Sequence, residues 1–224
     1  MHSWIYPVCA TVCWVAVIYK LVTLRRDPGN EHLRAVCVAL VCLALAFTVA
    51  TPGLYGPLDR LLGWPNMTKL VVHGAILMFA ATGSWMILLW TYPPAVARGK
   101  ARRRFLAAAV VLMVMAFLLH QAPVDAHTSE FTQRYAATPW AAQYLLLYVT
   151  AIGVAMVDAT RLFWTYSRAA ERPWLARGLR LTSVGTGIST GYCLTKGTYV
   201  VGRNLGQDWE MVGASSPAFA GMGV

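Results

Sequence analysis

Apolar residues in this chain gather in long unbroken runs, not in the alternation of half-buried strands or the narrow stripes of soluble helices. Crossing the roughly 30 Å hydrocarbon core of a bilayer takes about 20 mostly apolar residues. Six stretches meet that requirement, at about 4–24, 34–55, 69–90, 104–120, 140–164 and 177–201. Helix breakers fall between them: Pro28-Gly29-Asn30, Pro93-Pro94, Pro123, Pro139 and Pro173. The pattern predicts an all-α, polytopic transmembrane helical bundle forming a single domain over 1–224, with loops too short for a separate soluble domain. A seventh apolar stretch, 211–224, is too short to cross unaided. It reads as the start of a seventh span, with a re-entrant or interfacial tail as the other reading. Met1, His2 and Ser3 supply no positive n-region, so the first run is expected to be a permanent span and not a secretory signal.

Composition agrees with that frame. Of 224 residues 58% are hydrophobic and 12% charged, whereas soluble domains carry roughly 25% charged residues. The net charge of +10 would suit nucleic acid or an anionic membrane surface, and the positions of the charges decide between them. Lys20, Arg25, Arg26 and Arg34 border the first loop. Arg98, Lys100, Arg102, Arg103 and Arg104 lie in the third, and Arg161, Arg168, Arg172, Arg177 and Arg180 border the fifth. Only Arg60, Lys69, Arg134 and Arg203 fall on the opposite side. By the positive-inside rule the odd loops face the cytoplasm and the N-terminus lies outside a multi-pass cell-membrane protein. The expected partners are the lipid bilayer and anionic lipid headgroups at the cytoplasmic face, and no nucleic acid. Trp90, Tyr92, Trp164 and Tyr166 mark the inner interface, and Trp4, Tyr6, Trp64 and Trp140 the outer one. A homo-oligomer or a membrane partner stays open.

Ionisable groups at membrane depth are costly and point to function. Lys196 lies on the sixth span. Thr182, Thr186, Ser189, Cys193 and Lys196 share one helical face, and a small-residue stripe of Ser183, Gly187, Gly191, Thr195 and Thr198 runs beside it. Two roles fit Lys196: binding an anionic group or carboxylate in an outward-facing cavity, or snorkelling to the interface. His73, one turn after Lys69, is either a ligand-binding or titrating group or a packing histidine. Tyr144, Tyr148, Tyr192 and Tyr199 fall at similar depth, so Tyr148, Tyr192 and Ser189 join Lys196 and His73 as candidate ligand-binding residues. Asp158, near the inner end of the fifth span, is either neutralised by Arg161 three residues on or a proton- or ion-coupling group. Cys9 and Cys13 read as small fillers.

No catalytic residue is indicated: G-x-x-x-x-G-K-[ST], H-E-x-x-H and G-x-S-x-G are all absent, and an enzyme is not expected. No cofactor is called for, and Lys196 lacks the surrounding pattern of a microbial-rhodopsin retinal lysine. His120 and His127 flank Asp125 and Glu130 in the outer loop at a spacing too loose to read as a metal site.

Several stretches carry a family likeness: LRRDPGNEHLRAVCVALVCLALAFTVATP, KLVVHGAILMFAA running into LLWTYPP and ARGKARRR, and RPWLARGLRLTSVGTGISTGYCLTKGTYVV. Over about residues 15–224 the chain resembles an actinobacterial family of multi-span integral membrane proteins described as transporters. Longer members look like seven helices followed by a cytosolic domain of unknown function. That resemblance implies a chain ending inside its seventh helix, and it gives no role to His73 or Lys196. Three functions follow as expectations: a small-solute transporter, a receptor-like sensory module signalling to a cytosolic domain absent from this chain, or a structural subunit of a membrane complex.

Overall fold

The computed structural model describes residues 4–125 and 131–207. The stretch 211–224, along with His127 and Glu130, lies outside the described residues. The described residues are all-α, with no strand among them. Eight helices follow in order: α1 (Ile5–Arg26), α2 (Glu31–Ala50), α3 (Pro52–Leu62), α4 (Met67–Thr91), α5 (Pro94–Gln121), α6 (Phe131–Tyr135), α7 (Ala141–Ala169) and α8 (Pro173–Asn204). Five of them, α1, α2, α4, α5 and α7, are long and apolar enough to cross a membrane. These helices make the chain compatible with an integral membrane protein.

The helix ends follow local chemistry. Asn30 caps α2, its side chain accepting from the Leu33 amide at 3.0 Å. The second apolar run was expected to continue to residue 55, but α2 stops at Ala50. Thr51 precedes Pro52, a proline disfavours helical geometry in the residue before it, and Thr51 is extended at φ −62° and ψ 123°. Pro52 then opens the short helix α3, which closes at Gly63 in the left-handed region, φ 76°. Asn66, also left-handed at φ 63°, precedes α4. The basic run expected as a loop before residue 104 is helical, because Pro94 at the first position presets φ and the Ala, Arg and Lys that follow favour helix. α5 is therefore 28 residues long, about 42 Å at 1.5 Å per residue. α8 likewise begins on a proline and extends past the expected 177–201 at both ends.

The chain divides into two compact units, Met1–Phe131 and Thr132–Val224. In the first, α2 packs against α1 and α4, and α4 against α5, with α3 touching α2 and α4. Its buried contacts are rich in alanine: Ala35, Ala44, Ala46, Ala97 and Ala101. Large apolar side chains divide: Val17, Ile87, Leu88 and Met115 are buried, whereas Val12 (63% exposed), Val15, Ile18 and Met113 (64%) point outward. Alanine at helix contacts with many large apolar residues left outward suits a helix bundle in lipid, which gives no hydrophobic reason to bury them all. Trp14 Nε1 donates to Thr48 Oγ1 at 3.0 Å, pinning α1 to α2. The second unit is built on the α7–α8 hairpin, and Asn204 Nδ2 donates to the Ala136 carbonyl at 2.7 Å near its end.

Candidate functional site

The register of α7 on α8 is set where side chains are small. A β-carbon on Gly153 would stand 3.5 Å from Cys193 Cβ, and one on Gly197 3.7 Å from Val149 Cγ1. Further along, Ser183 Oγ donates to the Thr160 carbonyl at 2.9 Å, and the Thr160 and Thr186 hydroxyls lie 2.8 Å apart. The contact face of α8 thus draws on both polar faces read from the sequence, Thr186 and Cys193 from one and Ser183 and Gly187 from the other. Most of its remaining hydroxyls bond one turn back: Thr182 to Gly178, Ser189 to Gly185, Thr190 to Thr186 and Thr195 to Gly191, at 2.9 to 3.1 Å.

This hairpin holds five of the six candidates. Tyr148 on α7 is buried, with Tyr192 and Cys193 of α8 within electrostatic reach. Lys196 is half-buried one turn beyond Tyr192. Among the described residues no hydrogen bond or ion pair holds its ammonium. Ser189 lies two turns back along α8, its hydroxyl given to the Gly185 carbonyl. The register sets half-buried Asp158 level with residue 188, about 12 Å along the axis from Lys196. These two cannot form an ion pair. His73 belongs to the first unit, buried at 7% exposure on α4, so neither unit by itself contains the whole set.

The first unit carries two features the sequence reading passed over. One is a cavity of about 240 Å³ between the start of α4 and the end of α5, lined by Trp64, Pro65, Met67, Leu70, Leu119 and His120 among others. His120 stacks on Trp64 with ring centres 4.7 Å apart. The second is Asp59, fully buried on α3. Its Oδ2 accepts from the Asn66 amide at 2.6 Å and its Oδ1 from the Thr68 amide at 2.9 Å. A carboxylate at the start of α4 serves amides that have no partner within the helix and meets the positive end of its dipole. Burial, aided by the Asp59 charge, pushes the Tyr55 phenol well above its ordinary range, so Tyr55 remains a hydrogen-bond donor. The signal for Asp59 was faint: a lone acid in an apolar stretch, seven residues before an asparagine at a helix start.

At the opposite end of the unit Arg98 donates through Nε to Glu31 Oε1 at 3.0 Å, and its Nη2 meets the same oxygen. Lys100 sits over the Tyr92 ring at 3.6 Å. Among the described residues, no cluster of three His, Cys, Asp or Glu could hold a metal ion. The chain matches no family model, no curated protein and no solved structure.

Proposed function

We propose that this chain is a multi-pass cell-membrane protein that moves small carboxylate-bearing solutes across the bilayer, with the Lys196 ammonium as the anion-binding group. The observation that carries this reading is Lys196 itself, half-buried beside the α7 contact and unpaired among the described residues. Holding a lysine away from water is costly unless a counter-charge arrives, and an anionic solute supplies one. Tyr192 and Ser189 occupy the same flank of α8, one and two turns away. Tyr148 contributes a phenol from α7.

The reading uses six spans, α1, α2, α4, α5, α7 and α8, with the N-terminus outside and the basic loops in the cytoplasm against anionic lipid. α8 is the most polar of these. Its back-bonded hydroxyls and its bonds to α7 support its place within a bundle.

The test is uptake of labelled acetate, lactate and succinate into proteoliposomes. At least one should enter faster than into empty vesicles. Lys196→Ala should abolish that uptake, with the variant inserting normally. Unchanged flux in Lys196→Ala, or no uptake of any of the three, would overturn the proposal.

A further inference from the structure

The joint between α3 and α4 withdraws three oxygen-bearing side chains from solvent. Asp59 and Thr68 are fully buried and Tyr55 is 4% exposed. The Asp59 carboxylate receives the amides of Asn66 and Thr68. The Tyr55 hydroxyl and Thr68 Oγ1, by contrast, are enclosed with no hydrogen-bond partner. Both belong to residues tied to the same carboxylate, one through its charge and one through its backbone amide. Tyr55 precedes Asp59 by one turn on the inward face of α3, close enough for the Asp59 charge to act on its phenol. Thr68 carries its hydroxyl beside the amide that holds Asp59 Oδ1. Enclosing a hydroxyl without a partner forfeits the bonds it made in water, and here two do so within one joint.

We propose that a single buried water occupies this joint, accepting from the Tyr55 hydroxyl and donating to Thr68 Oγ1 and the Asp59 carboxylate. Three partners are what an ordered interior water typically has. An oxygen-only donor set would also suit a monovalent cation, but two amides and the positive end of α4 already converge on Asp59. That field favours a neutral, dipolar guest. The water ties α3 to the first turn of α4 through side chains of both.

The test measures the thermal midpoint of the detergent-solubilised full chain, wild type against Tyr55→Phe, Thr68→Val and the double variant. Each single change should lower the midpoint by on the order of 3 °C. The double variant should fall little further, because the same water is lost once. Thr68→Ser, which keeps the hydroxyl, should stay above Thr68→Val. A neutral or raised midpoint in either single variant means that the hydroxyl has no partner to lose and overturns the proposal, as does full additivity. A rise in the wild-type midpoint on exchanging choline for sodium, absent from the variants, would assign a cation instead and overturn it too. Should Thr68→Val not be recovered folded, Tyr55→Phe alone decides, since an unpartnered phenol loses nothing with its oxygen.

Discussion

The α3–α4 joint and the α7–α8 hairpin both keep polar atoms away from solvent, by opposite means. At the joint, a buried carboxylate serves two backbone amides that the helix cannot satisfy itself. In the hairpin, the polar atoms are mostly hydroxyls that bond a turn back on their own helix, and the close contacts come from glycine and cysteine. Removing a side chain from the joint therefore exposes a need in the backbone. Taking one from the hairpin removes little that the backbone depends on. This difference separates the two withdrawn charges: Asp59 is committed to two backbone amides, whereas no bond or ion pair among the described residues engages Lys196.

The largest effect should come from Asp59→Ala, which leaves the Asn66 and Thr68 amides buried without an acceptor. Bonds to charged groups are worth about 1.5–3 kcal/mol each, so a loss of roughly 3 kcal/mol or more is expected. Asp59→Asn keeps one good acceptor oxygen and should lose distinctly less. Heat-induced unfolding in detergent, followed by circular dichroism, measures both. If Asp59→Ala proved as stable as wild type, the two regions would not differ in the way argued.

How much of this was legible beforehand follows from what each feature depends on. Long apolar runs and proline positions are local signals, so each of the six expected stretches contains a helix near the expected place. The break at Thr51 was within reach, because a proline restricts its predecessor wherever it occurs, but the apolar run through Leu54 and Tyr55 masked it. The helical start of α5 was missed because Arg and Lys were read as loop charges although both favour helix. Lys196, His73 and Tyr148 stand out by residue type against an apolar background. Asp59 does not, since its role depends on α3 folding back over the start of α4, and nothing local in the sequence encodes that pairing. The stacking of Trp64 on His120 joins residues 56 positions apart and is invisible for the same reason.

A change of intermediate size probes the hairpin's packing. The site of a β-carbon on Gly153 lies at ordinary contact distance from Cys193, so Gly153→Ala should fold with near wild-type stability. Gly153→Val adds methyl groups that must displace Cys193 or separate α7 from α8, a cost of about 1–3 kcal/mol for overpacking. The same unfolding measurement compares the pair. Equal stability for Ala and Val would mean that the hairpin is looser than its register implies.

The smallest effect on stability is expected at Lys196, and it sharpens the comparison most. Lys196→Met keeps the length and flexibility of the side chain and removes only the charge. Because no bond or ion pair holds the ammonium among the described residues, its loss leaves no partner stranded, and a half-buried position gains from an apolar side chain. The unfolding midpoint should therefore stay level or rise slightly, where Asp59→Ala lowers it steeply. Uptake should respond in the opposite order, vanishing in Lys196→Met at undiminished stability. A midpoint that fell in Lys196→Met as far as in Asp59→Ala would make Lys196 a second structural charge, and the hairpin would then be held by the same means as the joint.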